Sequence, residues 1–302
     1  MTADVSPDQG LLFDLSSRAK LRMTGADRVR FLNGQISNDV RKAQPDVAIR
    51  ACVLNAKGKI NADVMIVSDG DSLLIDAEPD AREQLAARLE RYIIADDVQI
   101  EDVTDSFALF HITGPSTPAL AGANAIAKAE RFGTPGVDMW LPREKYEAAL
   151  QGLSMSLPSC DADCAELLRI ERGIPRWGRE LTDEIIPTEA NLEASAIDYA
   201  KGCYIGQEVI SRMKMSGQTN KRLCGLLAVD DAAFTAGMRL FADAKDVGWV
   251  TSVVQSARLG RTIALGFVKR GFQAPGTRLE LHPVDGTASS GMHAEVAPLP
   301  FV

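Results

Sequence analysis

Histidine is scarce: only His111, His282 and His293 occur among 302 residues. That leaves little choice for a serine triad and few nitrogen ligands for zinc. The five cysteines, Cys52, Cys160, Cys164, Cys203 and Cys224, are odd in number and contain no C-x-x-C. A disulfide scaffold is therefore not expected, and a reducing, cytoplasmic setting is. Cys160 and Cys164 stand four residues apart, a spacing that shares a helix face, but no histidine lies near them in sequence. No metal site is expected from them. No stretch reaches bilayer-spanning length, so no membrane partner is expected. Residues 1–10, with Asp4 and Asp8 and no apolar run, resemble neither a signal peptide nor a transit peptide. Gly58-Lys59 lacks the glycine spacing of a phosphate loop, and no G-x-S-x-G, H-E-x-x-H or dinucleotide fingerprint occurs. A net charge of -8 and a pI near 5.1 argue against general affinity for a nucleic-acid backbone. The local exception is Arg212, Lys214, Lys221 and Arg222, read either as a basic funnel or as a solvated linker.

What the chain has in quantity is core material: 46% of its residues are hydrophobic, and its length favours two domains. Alternation predicts strands over residues 20–24, 48–54, 60–67 and 72–76, with a turn at Asn55-Ala56-Lys57-Gly58. Val29, Phe31 and Leu32 mark a helix that Asn33-Gly34 is expected to end. Residues 80–92 carry Leu85, Leu89 and Tyr92 at helical spacing, which reads as an amphipathic helix over a sheet. Ile112-Thr113-Gly114 after a predicted strand echoes Met23-Thr24-Gly25, and a helix is expected after each, suggesting two related α+β halves. Further helices are predicted over residues 143–153 and 163–171, and a strand at 140–142. The stretch 175–201 reads as loops and short helices. Beyond residue 216 short strand candidates separated by Gly and Asp turns predict a small all-β barrel or sandwich, with residues 213–220 as connector. The domains are accordingly placed at 1–219 and 220–302.

The densest segment is Lys201-Gly202-Cys203-Tyr204-Ile205-Gly206-Gln207-Glu208. A thiol between two glycines, with a lysine two residues before it, is either a reactive cysteine or a small buried filler in a tight turn. Glu171, two positions after Arg169, is either a surface carboxylate or an acceptor for two N–H donors of an aminopyrimidinone-type ring. Trp177 either stacks on a ring or packs beneath its loop. Asn38, beside Asp39, either closes a turn or lines a cavity. Alternation puts Asp63 opposite Val64, on what reads as the solvated face of its strand.

Three stretches carry a resemblance: Arg169-Ile170-Glu171-Arg172-Gly173-Ile174-Pro175, Ile186-Pro187-Thr188-Glu189-Ala190-Asn191-Leu192, and residues 201–208. Together they closely resemble the YgfZ family of folate-binding proteins, relatives of the aminomethyltransferase (T-protein) of the glycine cleavage system. Residues 31–40, FLNGQISNDV, are similar to both groups. The resemblance implies an α+β fold: two interlocked α+β lobes around a central cavity, plus a C-terminal β-barrel. It implies tetrahydrofolate or a derivative as cofactor, Glu171 on the pterin ring, and Cys203 as the family's thiol. It further implies maintenance of iron–sulfur enzymes, including tRNA methylthiolation enzymes, with iron–sulfur client or assembly proteins as partners and no direct contact with nucleic acid. In that role Cys203 attacks, accepts sulfur or transiently ligates iron. The alternatives are a folate-dependent one-carbon transferase, in which Asp63 positions an amine, and a folate-binding scaffold. The Gly-Gly-x-x-Asp-Asp stretch of the aminomethyltransferases appears here as Gly58-Lys59-Ile60-Asn61-Ala62-Asp63, without the second glycine and the first aspartate.

Overall fold

The computed structural model describes residues 10–114, 123–229, 232, 234–284 and 291–302. Residues 1–9, and the helix expected after Gly114, lie outside the described residues. The first lobe is a five-stranded antiparallel sheet of β2 (Ala19–Thr24), β3 (Ile49–Leu54), β4 (Ile60–Asp69), β5 (Ser72–Ala77) and β6 (Gln99–Asp102), in the order β3-β4-β5-β2-β6. Strand geometry sends alternate side chains to opposite faces. Ala62, Val64 and Ile66 of β4 therefore join Leu21 and Ile75 on the face covered by α1 (Arg28–Gln35) and α2 (Arg82–Glu90). Asn33-Gly34 does not end α1, which runs on to Gln35.

The second lobe is a four-stranded sheet in the order β1-β7-β9-β8, built from β1 (Leu12–Asp14), β7 (Phe107–Thr113), β8 (Ala125–Glu130) and β9 (Pro135–Pro142). Its outer face carries Phe110, Ile112 and Met139, which pack under Ala149 and Leu153 of α3 (Tyr146–Ser154). Its inner face meets the first sheet: Leu109, Ala127 and Trp140 pack against Val67 and Leu74. Backbone bonds from Ala48 N–H to Lys128 O and from Lys128 N–H to Asp46 O, 2.9 and 2.8 Å, interlock the lobes. Asp63, Met65 and Val67 face this inner side. The solvated face expected for Asp63 is thus a face turned toward the other lobe, and its carboxylate is only 16% exposed.

Six strands close the C-terminal barrel: β10 (Lys221–Val229), β11 (Arg239–Ala242), β12 (Lys245–Ser256), β13 (Arg261–Lys269), β14 (Arg278–His282) and β15 (His293–Ala297). Leu226, Leu240, Val250 and Val296 fill it. Leu223, Ile263, Leu265 and Phe267 instead face outward and meet the β3–β4 hairpin through Leu54 and Ile60, together with Leu192, Tyr204 and Ile210. Three helices complete the join: α4 (Ala162–Glu171), α5 (Glu193–Ala196) and α6 (Gln207–Ser216). α6 occupies the first half of the expected connector.

One further finding departs from the sequence reading. Cys160 and Cys164 are joined by a disulfide, although no bridge was expected from five sparse cysteines. Of the two readings open for the four basic residues at 212–222, the funnel is the one not found: Arg212 pairs with Glu208, Arg222 with Glu193, Lys214 lies over Tyr199 and Lys221 over Trp249.

Between the sheets sits a buried charge network. Arg131, 6% exposed, forks onto Asp76 of β5 and Asp138 of β9, at 2.6 to 3.0 Å. Asp138 also takes a 2.9 Å bond with His111 Nδ1 across the β7–β9 ladder. Burial raises the Asp138 pKa, but the Arg131 charge and the His111 bond outweigh it and bring it down to about 2. The native value lies below the unfolded one, so this group's contribution is full above about pH 4 and is lost as pH falls toward 2. We predict that Arg131→Met, which removes the counter-charge of buried Asp138 and leaves Asp76 to Arg18 alone, costs about 3–5 kcal/mol in urea unfolding at pH 7. Acid unfolding followed by circular dichroism should begin at a higher pH in Arg131→Met than in wild type. An unchanged acid midpoint would show that the network does not couple protonation to folding.

Candidate functional site

A cavity of about 390 Å³ opens where the two lobes and α4 converge. β4 supplies Asp63 and Met65, β3 supplies Arg50, and β1 supplies Phe13. The loop after β8 adds Arg131 and Phe132, α4 adds Ala162, Ala165 and Arg169, and Ile174, Pro175 and Arg176 close one side. Phe132 stacks on Phe13 with ring centroids 4.2 Å apart, so the aromatic wall is braced from behind. Apolar surface from Phe13, Met65, Phe132 and Ile174 set among fixed charged groups such as Arg50, Asp63, Arg131 and Arg169 makes a concave site suited to a polar small molecule.

The polar centre of that wall is a bidentate pair. Arg50 Nε and Nη2 donate to the two Asp63 oxygens at 2.8 and 2.7 Å, and Nη2 also reaches Pro175 O at 3.3 Å. Cys52 is the direct ladder partner of Asp63, so Arg50, two residues earlier, lies diagonally across on the same face. Opposite charges two steps off register in a hairpin whose turn is already evident are the signal that would have identified Arg50. A second depression of about 530 Å³ lies on the far side of Arg50 and Pro175, lined by Asn191, Arg222, Pro275 and Leu299 of the loop and barrel.

The other residues singled out in the sequence are distributed differently. Arg169 lines the cavity, but its guanidinium is committed to Glu166, Glu180, Ser252 of the barrel and Ile174 O. It acts as a girder. Glu171 is buried and accepts a hydrogen bond from Ser256 Oγ of β12, outside the cavity lining. Trp177 packs into two core clusters beneath its loop. Asn38 closes a turn, donating to Arg50 O at 2.8 Å and accepting from Asp39 N–H.

The segment 201–208 is a plug on the β3–β4 hairpin. Gly206 adopts φ +86°, and a Cβ there would meet Asn55 O at 2.7 Å. Gly58 answers from the hairpin turn, where a Cβ would come within 2.9 Å of Val209. Tyr204 is buried between hairpin and barrel, while Gln207 and Glu208 open α6, and Glu208 faces Arg212. Lys201 turns inward: its Nζ donates to the carbonyls of Asn33, Ile36 and Asn38 at 2.6, 2.6 and 2.8 Å. All three ammonium protons are thereby committed, and none remains for a thiolate at Cys203. Lys20 shows the same arrangement, donating to the carbonyls of Ser16, Arg18 and Thr104. Burial pushes both lysines down to about 8. Lys201 is thus a clamp on the C-terminal end of α1. Gly202 and Cys203 are exposed, and Cys203 lines neither cavity.

Substitutions in the plug should separate its structural and chemical members. Lys201→Met leaves three carbonyls without their donor and Gly206→Ala forces a backbone clash. Each should lower unfolding free energy by roughly 1–3 kcal/mol. Cys203→Ser, at an exposed position, should fall within about 0.5 kcal/mol of wild type. Equal losses in all three variants, measured by urea denaturation, would contradict this division.

Comparison with known proteins agrees with this architecture. The GCVT N-terminal domain matches residues 7–132, and the glycine cleavage T-protein C-terminal barrel domain matches residues 221–302. The aminomethyltransferase of Geobacillus kaustophilus is 27% identical over 96% of this chain and 86% of its own length. That of Streptomyces coelicolor is 26% identical over the same shares. The crystal structure of glycine cleavage system aminomethyltransferase T from Bartonella henselae superposes with a TM-score of 0.83 at 19% identity, covering 97% of this chain and 86% of that one, which speaks to fold. With two α+β lobes, a closed C-terminal barrel and both domain matches in order along the sequence, the chain is a GcvT-like member of the glycine cleavage T-protein family.

Proposed function

We propose that this protein binds a reduced folate in the central cavity and acts on the one-carbon unit that the folate carries. The observation that carries this reading is the cavity wall itself: Phe132, Met65 and Ile174 around the Arg50–Asp63 pair. A flat, amide-bearing ring needs apolar faces and a few in-plane hydrogen-bond partners, and the cavity supplies both. Asp63 spends two lone-pair positions on Arg50 and keeps the others to accept an N–H from the ring or from an amine.

The missing aspartate of the aminomethyltransferase stretch weighs little against this reading. Ala62 occupies that position and points into the helix-covered face, 0% exposed, while Asp63 points to the cavity. The carboxylate that survives is the one on the cavity side. Relatives across nearly the whole chain bear the name aminomethyltransferase, which favours one-carbon transfer to an amine over a passive scaffold.

A second reading keeps tetrahydrofolate in the cavity but places the working group outside it. On that reading the chain supports assembly or repair of iron–sulfur clusters in client enzymes, including those of tRNA methylthiolation, with Cys203 as the thiol. The exposure of Cys203 on a well-braced plug favours it.

Titration calorimetry with 5-formyltetrahydrofolate tests the shared part. Loss of a hydrogen bond to a charged group predicts roughly tenfold weaker binding by Asp63→Asn. Unchanged affinity would remove folate from this cavity. The two readings then part on turnover and rescue. Methylene-tetrahydrofolate consumed with a small amine, with Cys203→Ser as active as wild type, supports one-carbon transfer. Cys203→Ser that binds folate normally but fails to restore a cluster-dependent tRNA methylthiolase in cells lacking the homologue supports the second reading.

A further inference from the structure

We propose that the Cys160–Cys164 disulfide is a thiol–disulfide exchange site in the cavity wall, and that its oxidation state sets how tightly the cavity holds its ligand. The folate reading enters only as the identity of that ligand.

The bond joins a residue of the cavity lining to a neighbour outside that lining, and Cys164 packs on the same Leu11, Phe13 and Leu168 cluster as Cys160. Cys160 lines the cavity and is buried, whereas Cys164, in the first turn of α4, is partly exposed. The bridge encloses only three residues, the kind of loop that constrains an unfolded chain least, so its main effect is local. Its local effect is evident. Residues 158–160 run beside β1, with Leu12 N–H donating to Pro158 O at 3.0 Å and Cys160 N–H to Leu12 O at 2.8 Å. Asp161 then caps α4 by accepting from Cys164 N–H at 2.9 Å. The disulfide welds that edge segment to the first turn of α4, and Asp161, Ala162 and Ala165 of this turn face the cavity. The far end of α4 is already fixed through Arg169 to Glu180 and Ser252. Reduction therefore frees one end of a cavity wall while the other stays anchored.

The reductant is a low-molecular-weight or protein dithiol. One of its thiolates attacks Sγ of Cys164, the less buried of the two residues. The Sγ–Sγ bond breaks, and its electron pair leaves on Cys160 Sγ, which takes a proton from water. The second thiol, deprotonated by water, attacks its own partner sulfur in the mixed disulfide. Cys164 is released as a thiolate and protonated. The protein gains two electrons and two protons, and the dithiol becomes a disulfide. Oxidation by a small disulfide is the reverse.

The test compares the full-length protein before and after dithiothreitol. Alkylation under denaturing conditions with mass spectrometry should find Cys52, Cys203 and Cys224 free before reduction and all five cysteines free after it. Hydrogen exchange over residues 158–171 should quicken on reduction, and 5-formyltetrahydrofolate should bind roughly fivefold more weakly. The double variant Cys160→Ser with Cys164→Ser should match reduced wild type and ignore dithiothreitol, while Cys203→Ser should respond as wild type does. Five free thiols before reduction, or exchange and affinity that ignore the redox state, overturn the proposal. Redox-dependent exchange without folate binding in either state would remove the folate reading and the affinity coupling, and leave the exchange site standing.

Discussion

Arg131 holds the two lobes in one geometry. Each sheet contributes one buried carboxylate, Asp76 and Asp138, and neither is stable in the interior without a counter-charge. One guanidinium satisfies both, so the sheets are constrained to the spacing that its fork allows. Arg18 adds a second link to Asp76 and reaches Glu78, extending the network to the cavity rim. The apolar contact of Trp140 and Leu109 with Leu74 supplies driving force without direction. The charge network supplies the direction, and the cavity exists because the lobes are held at that offset.

The same division between attraction and alignment recurs at the junction of lobes and barrel. Leu265, Phe267, Tyr204 and Ile210 bury apolar surface there, while Arg169, Glu180 and Ser252 fix the angle. The plug at residues 201–208 is part of this alignment, since Lys201 gathers the end of α1 and Gly206 lies flush on the hairpin.

Much of this was legible in the sequence. The alternating runs of β2 to β5 and β7, the periodic α2 and the short strands of the barrel follow directly from local pattern. The strands that escaped notice are β1, three residues long, β6, mostly exposed, β8, an Ala-x-Ala-x-Ala stretch, and β15, also rich in alanine. In each the partner strand, not the segment's own pattern, decides the conformation. At the site, Asp63 and the 201–208 motif stood out by composition. The roles of Lys201, Trp177, Asn38 and Glu171 depended on what lies opposite them, and that is a tertiary property. Arg50 was missed although its charge pairs off register with Asp63 in an evident hairpin, whereas Arg131 and Phe132, in the loop after β8, look the same in sequence whether they meet water or a cavity.

The β3–β4 hairpin carries one more implication. Ala62 and Asp63, as neighbours in a strand, always take opposite faces; which of them meets the cavity is set by the Asn55–Lys59 turn, which fixes the count of residues between the two strands, and by the one slip of the ladder at Val53 and Leu54. A single-residue shift there would exchange their places, driving the carboxylate under the helices and a methyl group into the cavity. Gly58 and Gly206, pressed together at that turn, act as the stop that holds the count. The chemical identity of the cavity is thus set at a surface turn, by two residues that have no side chain.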